Sequence, residues 1–249
     1  MTLPVAGDRP RTCPTARPTT HRLQRALAAA QALLLAGAAL GGASTAAQSA
    51  TGPLLDVPVA YYVEPAQIDN RRSIRELTSW RSAGENAHTV GLYRQKTRAS
   101  VHLEGELMQS AYGSVVRPTR ASLDIQTDHS IFVGAEFRPG TCQYEEALAH
   151  ERTHEQIHME AVEQLLPMIR EAVIAQLRAA PLGRGASVQQ QLQASAAAAA
   201  DVATRIISDH TRALHAAFDS PHEYLRMQAA CDGVMAKPVR SAALHLHQH

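Results

Sequence analysis

The sequence predicts an α+β fold, a small antiparallel sheet followed by a helical part. Three observations predict it. Apolar and polar residues alternate with period two in several segments between Val57 and Phe137, the mark of half-buried strands. From Tyr144 onward alanine and leucine recur at helical spacing, and the strand pattern stops. The two patterns follow one another along the chain and do not interleave, which favours separate sheet and helical layers over repeated βαβ units.

The chain has 249 residues, of which 45% are hydrophobic and only 4% aromatic, so its core must be built from Ala, Leu, Val and Ile. Lysine and arginine total 24 against 23 acidic residues, which gives no electrostatic case for a nucleic-acid partner. Residues 1–46 read as a secretory signal peptide. Arg9, Arg11, Arg17, Arg22 and Arg25 form a basic leader, Ala26 to Ala43 an uncharged apolar run, and STAAQSA a small-residue cleavage region. Export to the periplasm or the medium is therefore expected, with no membrane segment left after cleavage. Residues 47–240 are expected to form a single domain, and 241–249 a disordered tail. Without the leader two cysteines stay, Cys142 and Cys231. In an exported chain they are expected to form a disulfide.

The elements follow in order. SIRELTSWRSAG, from Ser73, reads as a short helix stopped by Gly84, with Trp80 in the core. ASVHLEGEL turns Val101 and Leu103 inward, and ASLDIQ does the same with Leu123 and Ile125. TDHS, Thr127 to Ser130, reads as a turn before a last strand, SIFVGAEF. His102 and His129 are then solvated. A helix starts near Tyr144, and Pro167 must break it, kink it or begin the next. PLGRGAS is a break, and Val188 to Phe218 a long Ala-rich helix. Ser220, Pro221 and Glu223 open a last short helix with the pattern of a capping box.

The chemistry sits in ALAHERTHEQIHMEA, Ala147 to Ala161, which holds two overlapping copies of H-E-x-x-H. Residues four apart share a helix face. Two imidazoles so placed converge on one zinc ion, and the glutamate beside the first handles the proton of a zinc-held water. On a helical wheel His150, Glu151, His154 and His158 cluster with Tyr144, Ala147, Ala161, Val162 and Leu165 on one face. Arg152, Gln156, Glu160 and Glu163 take the other. Buried His and Glu need a partner, and a metal supplies one. The small and apolar residues leading into the first copy favour His150 and His154 as ligands, Glu151 as general base, and His158 as a wall of the cleft. The third ligand stays open among His210, His215, Asp219 and His222.

The LAHExxH stretch after a strand and a cysteine, with a later cysteine, resembles the predicted secreted zinc-dependent proteases of bacteria, a zincin family. The similar part runs from about Ser122 to Cys231. That family often has an aromatic-Asp pair late in its last long helix, and Phe218-Asp219 looks similar. The resemblance therefore implies Asp219 as third ligand, with His215 second. It also implies a cleft-edge strand, SIFVGAEF, able to bind an extended peptide by strand addition. The chain departs from the pattern by its second H-E-x-x-H and by lacking a metzincin-type third histidine.

The expected function is an exported zinc metallopeptidase that hydrolyses peptides through a zinc-held water and Glu151, with Tyr144 or Tyr224 as a donor to the oxyanion. The alternative is a non-enzymatic periplasmic protein that binds metal or a partner. The abundance of histidine, 13 residues, favours it.

Overall fold

The computed structural model describes residues 56–81, 88–110, 113–179 and 187–236. The expected signal peptide, the tail, Gly84 and most of PLGRGAS lie outside the described residues. The chain runs through β1 (Val59–Val63), β2 (Gln67–Asp69), α1 (Ile74–Arg81), β3 (Gly91–Ser110) and β4 (Gly113–Val133). Then come α2 (Cys142–Ala179), α3 (Val188–Phe218), α4 (Pro221–Ala229) and a 3₁₀ turn, Cys231–Ala236.

The sheet corrects the expected small antiparallel one. β4 is its central strand. β3 pairs with β4 antiparallel along their whole length. β1 and β2 both pair with β4 in parallel, Val59 to Val63 beside Leu123 to Thr127 and Gln67 to Asp69 beside Ser130 to Phe132. Two of the three pairings are thus parallel, and the fold is an α/β mix. After β2 the chain crosses by way of α1 to start β3, and β4 returns between β3 and the β1–β2 lane. Period-two alternation tells which face a residue takes. It carries no information on the direction of the neighbouring strand.

TDHS is likewise not a turn. Thr127 to Ser130 lie inside β4. Leu123, Ile125, Thr127, His129, Ile131 and Val133 form one unbroken inward row, with Thr127 and His129 buried. The geometric alternation continues through these two, and only their polarity hides it. SIFVGAEF is consequently no edge strand. Ser130 to Phe132 have partners on both sides, and the strand ends at Val133.

Helices α2 and α3 cover one face of the sheet. Val57, Leu123 and Ile125 meet Val162, Leu165, Ile169, Val173 and Leu177 of α2 and Ala199, Ala203 and Ile207 of α3. Each fully buried aliphatic side chain there contributes about 1.5–3 kcal/mol. The alanines let the two helices approach closely, as the low aromatic content requires. Pro167 neither ends nor divides α2, which runs through it. Proline removes a donor to the carbonyl of Glu163, but both residues are exposed and water can take that carbonyl. Trp80 is 40% exposed, not core. It lies edge-on to Phe132 with the Arg72 and Arg94 guanidiniums on its ring. Among the described residues no helix is long and apolar enough to cross a membrane.

Candidate metal centre

Two chain segments meet at the site. The first is the start of α2, which begins after the Thr141 hydroxyl caps the Tyr144 amide. Four-residue spacing sets the His150 and His154 rings 4.9 Å apart at a steep angle. The second is the corner between α3 and α4. Asp219 ends α3, its amide donating to the His215 carbonyl. Ser220 then caps α4 by accepting from the Glu223 amide, with Pro221 in the first turn. This tight corner turns both Asp219 and Glu223 toward α2.

His150 Nε2 lies 3.3 Å and His154 Nε2 3.0 Å from the same oxygen, Oδ1 of Asp219. The three ligand atoms all lie within 4.8 Å of one another. Nitrogen and oxygen ligands about 2.0–2.1 Å from one zinc at tetrahedral angles stand about 3.3 Å apart, so the set fits a single small divalent ion. His210 and His222 are absent from this group, and His222 is exposed.

The surroundings fit a metal centre as well. Ligating histidines commonly donate their second N–H to an orienting group. His150 Nδ1 is 3.3 Å from Oε1 of Glu223. Arg226 holds Glu223 through both carboxylate oxygens and reaches on to Glu146 of α2. His154 Nδ1 is 3.0 Å from His215 Nδ1. The second oxygen of Asp219 takes a 3.0 Å bond from Arg81. Phe218 stacks on His150 and meets His154 edge-on, shielding both rings. The Cys142–Cys231 disulfide, with Cα atoms 5.8 Å apart, ties the segment after α4 to the first residue of α2.

Charge is balanced by protons here. Burial opposes charging of His150, but Asp219 and Glu223 outweigh it and raise its pKa to about 9. Burial would likewise raise the two carboxyls. Hydrogen bonds from His150 and His154 instead hold Asp219 far below the usual carboxylate range, and those from His150 and Arg226 bring Glu223 to about 2. A proton on His150 thus occupies the place that a cation among these groups would take.

Glu151 is 6% exposed and lies against the start of β3. A Cβ built on Gly91 would come within 3.0 Å of its Oε1 and Cγ, so any larger residue there must shift the carboxyl from this position. The Tyr93 backbone donates to it. Burial raises its pKa against the pull of His150 and His154, the direction that suits a general base.

The second H-E-x-x-H copy is used differently. Glu155 accepts from the Ala66 amide at 2.9 Å and from Arg152, anchoring the gap between β1 and β2. His158 is 1% exposed, its Nε2 3.3 Å from the Thr97 hydroxyl. His129, expected in solvent, is 3% exposed, and its Nδ1 bonds the Tyr93 hydroxyl at 2.6 Å. His102 is exposed as expected. Tyr144 packs in the core with Phe137 and Ala147, while Tyr224 is 56% exposed.

Gly91, Tyr93 and Arg81 carry no sequence signal of a role here. Glu223 shows one afterwards: a carboxylate one helical turn beyond Asp219, in a capping position whose side chain is drawn away to His150.

No family model matches the chain, no curated protein is detectably similar to it, and no solved structure matches it.

Proposed function

We propose that the chain is an exported zinc-dependent metallopeptidase of the kind its motif resembles. The convergence of His150 Nε2, His154 Nε2 and Asp219 Oδ1 on one point, beside a buried glutamate, supports this reading. A zinc ion held there supplies Lewis acidity that lowers the pKa of a water toward about 7. Glu151 receives the proton of the attacking water and returns it to the leaving amine. Glu223 and Arg226 orient His150. Arg81 holds Asp219 by its second oxygen, and Phe218 keeps bulk water off both imidazoles.

The tautomers argue for one ion over several. If His154 offers its Nε2 lone pair, its Nδ1 carries the proton and donates to Nδ1 of His215. His215 then carries its own proton on Nε2, which is buried without a partner. In that state it cannot serve as a ligand. This removes His215 from the surplus histidines that the non-enzymatic alternative would use to gather further metal.

The test is Glu151→Gln in the zinc-loaded protein. Zinc content is expected to stay at one ion per chain while peptide hydrolysis falls by about 10²–10⁴-fold. Undiminished turnover in that variant removes the mechanism, and several weakly held ions per chain favour the alternative.

A further inference from the structure

An open cleft of about 630 Å³ lies directly against Asp219. One wall is a stripe of α3, Ser208, Arg212, His215 and Ala216. Arg81 from α1 and Gln95 from β3 complete it. Its polar lining is rich in donors. Asp219 contributes the sole carboxylate among the lining residues, and both of its oxygens are engaged, one by His150 and His154 and the other by Arg81. Arg81 uses one Nη on that bond. Arg212 is held loosely, 3.4 Å from Asp209 and 3.2 Å from the Ser208 hydroxyl, with its side chain 73% exposed. A guanidinium has five donors in a fork that matches a carboxylate, so both arginines retain N–H groups for a ligand.

We infer that this cleft seats a substrate carboxylate on Arg212, with Arg81 and Gln95 at its flank, and that the substrates are peptides acidic on one side of the cleaved bond. The inference rests on the metallopeptidase reading above. Arg212 stands seven residues before Asp219 on one helix, about 10 Å along its axis. That distance matches about three residues of extended peptide. The carboxylate therefore lies two or three residues from the scissile bond. It is either an Asp or Glu side chain or the C-terminal carboxylate of a peptide from which a short fragment is released.

The experiment uses the full chain loaded with zinc. Neutral, amidated hexapeptides are compared with the same peptides carrying one glutamate walked along the sequence, and with the neutral peptide bearing a free C-terminus. A carboxylate two or three residues from the cut is expected to raise kcat/KM at least ten-fold, chiefly through KM, with the gain shrinking at higher ionic strength. The glutamate series and the free C-terminus tell the two sources apart. Arg212→Ala should bring the acidic-to-neutral ratio to about one with zinc content retained, and Arg212→Lys should restore part of it. A ratio near one in the parent, or a preference that survives Arg212→Ala, overturns the inference. Calorimetric binding of the same peptides to Glu151→Gln separates it from the reading it rests on. Arg212-dependent binding of acidic peptides without turnover by the parent retains the carboxylate seat and removes the peptidase. Turnover without preference removes the seat alone.

Discussion

A Cβ atom added to Gly91 would stand 2.6 Å from Oε1 of Glu151 and 2.9 Å from its Cγ. The glutamate of an α2 motif is thus seated by a residue of β3 some 60 positions earlier. Gly91→Ala must push the carboxyl off that seat. Displacing a catalytic group by about 1 Å can cost about 10²-fold. We expect kcat to fall by that order with zinc content intact, measured by turnover and elemental analysis. Parental kcat in the variant would show that the seat is irrelevant to proton transfer.

The choice between the overlapping motifs predicts a graded metal series. His150→Ala, His154→Ala and Asp219→Ala should each weaken zinc affinity by more than about 100-fold. Glu223→Gln, which disturbs only the group orienting His150, should weaken it about 10–100-fold. His158→Ala should leave it near parental. Competition with a chromogenic chelator measures all five, and loss of zinc in the His158 variant with retention in the His150 variant would reverse the register.

Acid sensitivity follows from His158. Burial, with His129 and His215 nearby, pushes its imidazole down to about 3 from an ordinary 6.5. The folded value lies below the unfolded one, so on acidification the unfolded chain takes up the proton first. The stability of neutral, buried His158 is therefore complete above about pH 6.5 and lost progressively toward pH 3, at about 1.4 kcal/mol per pH unit. Urea titrations of the parent and His158→Gln, both stripped of metal, should give a difference that shrinks at that slope between pH 6.5 and 4. A pH-independent difference would show that His158 is already charged or solvated in the folded state.

The disulfide closes a sequence separation of 89 residues. Replacing Cys142 and Cys231 by serine is expected to cost about 2–5 kcal/mol in denaturant unfolding. It should also weaken zinc binding, since the segment after α4 would no longer be tied to the helix that carries His150. Unchanged stability and affinity in the double variant would contradict this.

The helical half was legible because one helix carries its own evidence. The wheel of α2 puts His150, Glu151, His154 and His158 on its inward face, and α3 begins and ends where composition places it, Val188 and Phe218. The cysteine pairing was legible because, with Cys13 assigned to the expected leader, Cys142 and Cys231 are the two left to pair. The sheet was less so. Alternation assigned Val101, Leu103, Leu123 and Ile125 to the inner face but could not give the parallel direction of β1 and β2. Thr127 and His129 broke the hydrophobic pattern because they wall the histidine cluster, and a strand whose inward row turns polar reads as a loop. Trp80 misled for a related reason, since the guanidiniums of Arg72 and Arg94 cover an aromatic ring that the sequence alone would bury. Glu223 and Arg81 lay beyond reach because only the tertiary fold brings them to His150 and Asp219.

His154 and Asp219 meet across a sequence separation of 65 residues. At about 5–20 residues per second a ribosome spends several seconds between making one and making the other. During that interval the nascent chain holds only two of the three proposed ligands, His150 and His154. On the proposed metallopeptidase reading, tight capture of an ion would have to wait until α3 and α4 close on α2, so loading would mark the completion of folding.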